Sequence, residues 1–351
     1  MNNLQKICVE EGITISESIK KLDEAGEKIL LVTRNQRLTG IITDGDVRRW
    51  VLRNGSFEED VNKLMNTNPR VVRKGEAEKA KQMMLKLHLE AIPIVDDNNI
   101  PIDIIFLRDM IAPDQRRYEQ INVPVIIMAG GKGTRLYPYT NILPKPLMPI
   151  GPVTILERII DSFRKNGCKD FWLILNYKKN LIKAYLDEKE KPYQVQYVEE
   201  DKFCGTCGGI RLMKEQLKHT FFVSNCDVLL DIDYFELLRF HQMNQNEITV
   251  VTSLKHVQIP YGVIELEEGG KILKLSEKPS LNYNMSTGIY VMEPSVINSI
   301  PQNQMFHMTD LMNKLLAEKR KVGAYPVMAK SWQDMGELSA MRRMIDTIQD
   351  M

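Results

Sequence analysis

The 351-residue sequence contains no run of about 18 apolar residues, so no membrane-spanning helix is expected. Neither sign of charge prevails, because 47 Lys and Arg against 46 Asp and Glu leave a net charge of +1. A general nucleic-acid or membrane-surface binder needs a basic excess, so neither partner is expected. The start, MNNLQKICVEEG, lacks the basic and apolar stretches of a signal peptide. Five scattered cysteines fit free thiols in a reducing compartment, and the expected location is cytoplasmic. The histidines show no metal spacing, and His241, His256 and His307 read as surface or packing residues. What remains is an ordinary globular composition, 43% hydrophobic and 26% charged, long enough for two domains.

An internal repeat occupies the N-terminal part. Val32–Asp46, VTRNQRLTGIITDGD, aligns with Val95–Asp109, VDDNNIPIDIIFLRD. Each copy reads as strand, polar turn, strand, then an Asp opening a helix. Helical stretches at Ser16–Ala25 and Glu76–Leu87 precede the two copies. One copy could hardly bury its apolar face alone, so the two should pack together. The polar stretch Ala112–Tyr118 is the candidate linker.

Beyond it, strands and helices alternate. Strands are expected at Val123–Met128, Phe171–Leu175, Gln194–Val198, Phe221–Ser224 and Ile248–Leu254. Helices are expected at Thr154–Lys165, Lys179–Asp187, Thr206–Leu217 and Asp231–Gln242. This alternation implies a mostly parallel sheet covered on both faces, with ligands at the carboxyl ends of its strands.

The segment Ala129-Gly130-Gly131-Lys132-Gly133-Thr134-Arg135-Leu136 follows the first of these strands. Its glycines let backbone N–H groups approach a phosphate. It is neither a P-loop nor a dinucleotide fingerprint, since GxxxxGK[ST] is absent and Leu136 stands where a third glycine should be. A tight turn would explain the glycines alone. Arg135 and the proline-flanked Lys145 add two fixed cations, which suit movement of negative charge between phosphate groups.

Met128–Ile150, MAGGKGTRLYPYTNILPKPLMPI, resembles the signature of the sugar-1-phosphate nucleotidyltransferases. Further landmarks match in order: EEDKFCGTCGG (Glu199–Gly209), Asn225-Cys226-Asp227, Tyr261-Gly262-Val263, Glu277-Lys278-Pro279, Thr287-Gly288-Ile289-Tyr290 and Trp332–Gly336. The repeat resembles a tandem CBS pair, best at Gly40–Asp46. The expected architecture is therefore a tandem α+β CBS module over 1–115. An α/β, Rossmann-like transferase domain with a mixed, mostly parallel sheet follows over 122–351.

The resemblance implies attack by a sugar 1-phosphate oxygen on the α-phosphate of an NTP, with pyrophosphate leaving. Such a step needs Mg2+ or Mn2+. Asp227 and Asp334 match the family's metal ligands, and Arg135 and Lys145 its phosphate-binding cations. The position of Lys132 varies across the family. Lys278 should contact the sugar phosphate, and Glu277 and the Gly262 backbone the sugar hydroxyls. Ser286 and Thr287 also fall in the sugar region, where Ser286 departs from the usual Asn. The base should lie between residues 129–134 and the segment from Glu200 to Gly205. Uridylyl and thymidylyl members typically carry Gln where this chain has Glu200. A carboxylate only accepts, and guanine presents paired donors, so Glu200 leans toward GTP.

CBS modules pair with transferases of this kind in guanylyltransferases acting on glucosamine 1-phosphate in bacterial legionaminic acid synthesis, to which the arrangement is similar. Mannose and heptose 1-phosphate enzymes are similar too. In the module, Thr43 and Asp46 match positions that bind ribose hydroxyls of an adenine nucleotide, although Asp46 would also cap a helix. The second copy has Phe106 where the first has Thr43, so one nucleotide site at most is expected. CBS pairs usually associate, which implies a homo-oligomer. A ligand sensor with a dead transferase domain should have lost Arg135, Lys145, Asp227, Lys278 or Asp334, and all are present. Cys204 and Cys207 stand where the family has small apolar residues, which argues against zinc or redox chemistry.

Overall fold

The computed structural model describes residues 3–110 and 121–349. The chain divides into two compact units, Met1–Arg117 and Tyr118–Met351. The candidate linker lies within 111–120, outside the described residues.

The first unit holds two three-stranded sheets of one topology. In the first, Cys8–Glu10 runs parallel to Ile29–Arg34, which pairs antiparallel with Arg37–Thr43. In the second, Val72–Arg73 is parallel to Ala91–Val95, which pairs antiparallel with Pro101–Phe106. Helices Ile15–Ala25 and Ala77–Leu87 precede the copies, and the helix Asp44–Leu52 follows the first. Thr14 and Glu17 form a capping box that starts the first helix. Leu38 and Asn99 tie the copies together: the Leu38 amide donates to the Asn99 carbonyl at 2.8 Å, and Asn99 Nδ2 to the Leu38 carbonyl at 2.7 Å.

The second unit is built on a seven-stranded sheet. Its strand order is Gln194–Glu199, Asp170–Leu175, Val125–Met128, Phe221–Asn225, Ser280–Met292, Ile248–Gln258, Val322–Val327. Ser280–Met292 runs against the other six. Alternate residues of Val125–Met128 enter opposite cores: Val125 and Ile127 pack on one face, Ile126 and Met128 on the other. Helix Ile155–Lys165 covers the first face with Ile155, Leu156, Ile159, Ile160 and Phe163. Helix Met308–Ala317 covers the second with Met308, Leu311 and Leu315. The chain leaves Val125–Met128 toward one side of the sheet and later returns on the other at Phe221–Asn225. That is a topological switch point, where strand ends splay and open a crevice.

Two local expectations change. Thr206–Leu217 is not an α-helix; only Gly208–Met213 is helical, as a 3-10 segment. The Cys207 and Gly208 amides both donate to the Phe306 carbonyl at 3.1 Å, which takes them out of a helical ladder. Strands Ser280–Met292 and Val322–Val327 were not read from the sequence, nor was the hairpin Val263–Leu266 with Ile272–Ser276. The helix expected from Asp231 begins at Tyr234, because Asp233 accepts from the Phe235 and Glu236 amides and caps it.

Candidate active site

The glycine loop leaves Val125–Met128 at its carboxyl end, and Asp227 follows Phe221–Asn225 at the neighbouring end. Between them lies a cavity of about 250 Å³. It brings together Gly130, Gly131, Gly133, Thr134, Arg135, Lys145, Glu200, Gly205 and Asp227 from the expected set. Ala129 is buried behind it, its amide donating to the Ile174 carbonyl at 2.9 Å. Lys132 is exposed and does not line the cavity.

Gly133 adopts φ +66°, which favours glycine, and a Cβ there would lie 3.0 Å from the Lys145 Cβ and from the Thr140 Cγ2. The loop thus closes directly onto the lysine. Lys145 is mostly buried and forms an ion pair with Asp227. A buried cation and carboxylate hold each other in fixed positions, and removing either leaves an uncompensated charge.

Asp334 comes from far along the chain. Val228–Leu230 and Trp332–Asp334 pair antiparallel, with Val228 opposite Asp334, and the Met335 amide donates to the Asp227 carbonyl at 2.8 Å. This pairing places Asp334 beside Asp227. Burial and the Asp227 charge hold the Asp334 carboxyl above the usual range, and Lys145, the Gly336 amide and Arg135 offset this in part. Arg135 Nη1 lies 3.2 Å from where a Cβ at Gly336 would stand. Two neighbouring carboxylates offer an all-oxygen donor set with excess negative charge. That set suits a divalent cation completing its shell with phosphate oxygens and water.

Glu200 follows Gln194–Glu199 at the third strand end. Only 2% of its surface is exposed, and neither carboxylate oxygen has a hydrogen-bond partner. Burial pushes its carboxyl up to about 7; the Cys204 amide opposes this weakly, without reaching hydrogen-bond geometry. A Cβ at Gly130 would stand 2.8 Å from Oε2, and one at Gly209 2.5 Å from Oε1. Only glycine leaves room for the carboxylate on both sides.

The residues expected at the sugar are not assembled in the same way. Gly262, Glu277 and Lys278 are exposed and do not line the cavity, although a Cβ at Gly262 would lie 3.2 Å from Glu277 Oε2. Ser286 Oγ lies 3.2 Å from the Tyr290 hydroxyl. Thr287 departs from a sugar-facing role: it is 2% exposed, and its hydroxyl donates to the Val251 carbonyl at 2.9 Å. The reason is a bulge. Register shifts between Val250 and Thr252, leaving Val251 without a ladder partner on that strand, and Thr287 supplies the missing donor.

In the first unit, Thr43 and Asp46 meet each other. The Asp46 carboxylate accepts from the Thr43 amide at 2.8 Å, the Thr43 hydroxyl at 2.6 Å and Arg49 Nη2 at 2.5 Å. One oxygen thus closes the cap of the helix Asp44–Leu52 and the other pairs with Arg49. Cys207 is buried and its thiol is pushed up to about 12 by burial. His241 is buried too, bonded to Thr249 and Glu293, while His307 precedes the helix Met308–Ala317. Nothing is described of the His256 side chain.

Sequence reasoning missed Asn176. Its Nδ2 donates to the Glu200 carbonyl at 2.9 Å, fixing that residue from the next strand end. Its place immediately after Asp170–Leu175 was the available signal.

A nucleotidyl transferase family model matches residues 124–351, and a CBS domain model matches residues 4–53. The chain is 36% identical over 183 residues to a mannose-1-phosphate guanyltransferase of Yarrowia lipolytica, covering 50% of each chain. It is 30% identical over 233 residues to a UTP–glucose-1-phosphate uridylyltransferase of a Synechocystis strain, covering 61% of this chain and 60% of that one. The matched region thus spans about half to three-fifths of these relatives' own length. A solved structure of a putative glucose-1-phosphate thymidylyltransferase from Bacillus anthracis aligns with TM-score 0.52 at 21% identity, over 65% of this chain and 96% of that one. This last likeness is one of fold.

Proposed function

The chain belongs to the nucleotidyl transferase family, and from that premise we propose that it joins a nucleotide from GTP to a sugar 1-phosphate, releasing pyrophosphate. The observation that carries the proposal is the meeting of Lys145, Asp227, Asp334 and Arg135 beside a glycine loop at the switch point. An oxygen of the sugar 1-phosphate forms a bond to the α-phosphorus of the NTP, and the bond from that phosphorus to the bridging oxygen of the β-phosphate breaks. Both partners are anions, so the site must offset repulsion and the charge gathering on the leaving group.

Lys145 stands between the loop and Asp227, where it can shift from its carboxylate partner onto the phosphates. Arg135 would hold the leaving pyrophosphate, and amides of Gly130 to Thr134 would cradle the triphosphate. Asp227 and Asp334 would hold a divalent cation, Mg2+ or Mn2+, which when bound supplies charge neutralisation at the phosphates. Lys278 and Glu277 would reach the sugar phosphate and hydroxyls.

Glu200 supports guanine, since its two unpartnered acceptors match the paired N1–H and N2–H2 donors. For the sugar we put glucosamine 1-phosphate first, on the pairing of a CBS module with this transferase. Mannose 1-phosphate stands next, as the substrate named for the Yarrowia relative. The CBS module would take an adenine nucleotide at most once, and the CBS pair favours a homo-oligomer.

The test is pyrophosphate release with Mg2+ for each NTP against glucosamine, N-acetylglucosamine, mannose and heptose 1-phosphates. Release with GTP and one sugar is the expected result. Silence across the panel would put a ligand sensor in place of an enzyme.

A further inference from the structure

Glu200 lines the cavity beside the glycine loop, yet the protein leaves its carboxylate without partners. Its backbone is fixed on both sides, because its amide donates to the Leu175 carbonyl at 2.9 Å and its carbonyl accepts from Asn176. Its oxygens rest against Gly130 and Gly209, which have no side chains to offer. The charged groups on the surrounding elements are committed or turned outward. Glu199, next in the strand, is paired with Lys179 and Lys183. Lys145 is paired with Asp227. Lys132 and Arg135 on the glycine loop, and Asp201 and Lys202 on the following turn, are exposed. The Cys204 thiol donates to the Lys202 carbonyl at 3.1 Å, and burial, with the Glu200 charge second, pushes it up.

A carboxylate offers acceptors alone, whereas a carboxylic acid offers one donor and keeps acceptor capacity. The acid therefore presents the pattern of a Gln amide. Guanine turns adjacent donors, N1–H and N2–H2, toward a reader. Uracil and thymine turn an N3–H donor flanked by carbonyl acceptors. We propose that Glu200 gives the site two nucleotide specificities, accepting guanine as a carboxylate and uracil or thymine as a carboxylic acid. The same chain then makes a GDP-sugar in one state and a UDP- or dTDP-sugar in the other. This rests on the guanylyl transfer proposed above. The bonds made and broken at phosphorus are identical in both states, and the Glu200 proton is not transferred. Burial holds the group at about 7, so both states are populated near neutrality.

The test compares kcat/KM for GTP, UTP and dTTP with one sugar 1-phosphate from the panel, from about pH 6 to about pH 8. The ratio of GTP to UTP isolates base reading, because titration of the sugar phosphate or of Asp334 affects both nucleotides alike. The expected ratio rises about tenfold per pH unit, following the ratio of carboxylate to acid. Glu200→Gln is expected to favour UTP and dTTP and to flatten the profile. A GTP activity whose ratio does not change with pH overturns the two-state reading and leaves guanylyl transfer standing. Turnover with pyrimidine nucleotides alone at every pH, or with no nucleotide at all, overturns guanylyl transfer and this inference together. The wild-type profile decides the question even if the Gln variant does not fold.

Discussion

The glycine-loop cavity and the segment expected at the sugar are built on opposite plans. In the cavity, residues from three strand ends meet around the buried Lys145–Asp227 ion pair, and a distant strand brings Asp334 beside it. At the sugar end, Glu277 and Lys278 are exposed between a two-stranded hairpin and a long strand, and Thr287 is spent on a bulge. The first plan suits a reaction common to every substrate, where charge must be placed in advance. The second suits a surface that changes between relatives without disturbing the chemistry. Similar chains carry names that specify mannose or glucose and guanylyl or uridylyl transfer.

Substitutions can break that contrast. The largest effect is expected at Asp227. Asp227→Asn should lower turnover by about two to three orders of magnitude and also destabilise the fold, because Lys145 loses its buried partner. Asp334→Asn should lose turnover without that loss of stability, because it relieves repulsion between two carboxylates. Steady-state rates and thermal midpoints on both variants separate the two effects, and equal destabilisation would show that the acidic pair is not in conflict.

A smaller effect is expected at Glu200. Its folded value of about 7 exceeds its usual 4.5, so the folded state binds the proton more tightly than the unfolded chain. Below the usual value both states are protonated and nothing is lost. As pH rises through about 7 the folded protein must bury a charge, costing on the order of 3 kcal/mol. Glu200→Gln should therefore gain stability over wild type at alkaline pH and little in acid, measured by denaturant unfolding at both. An equal gain at both would place the cause in packing rather than charge.

The smallest effect tests the sugar end. Thr287→Val should cost about 1–2 kcal/mol, the loss of one buried hydrogen bond, while leaving KM for the sugar 1-phosphate unchanged. A raised KM at unchanged stability would return Thr287 to the sugar pocket.

Much of the glycine-loop cavity was legible in the sequence. Glycines at fixed spacing after an apolar strand, a proline-flanked lysine and an Asp at another strand end are local patterns, and each lies where local pattern can place it. Thr287 was not legible, because its hydroxyl is claimed by a bulge that exists only once Ile248–Gln258 pairs with Ser280–Met292. The same holds for Thr206–Leu217, whose helical appearance yields to amides drawn off by the Phe306 carbonyl. For Thr43 and Asp46 the structure shows the capping contacts.

Apolar periodicity, glycine spacing and charge are properties of the chain itself, so the sequence alone determined the two-part organisation, most sheet strands and the identity of the charged residues in the cavity. Only the tertiary structure brought Asp334 to Asp227, left Glu200 buried without a partner and turned Thr287 inward. Each of those outcomes depends on which distant strand becomes a neighbour, and a carboxyl group's proton affinity follows from the surroundings that neighbour creates.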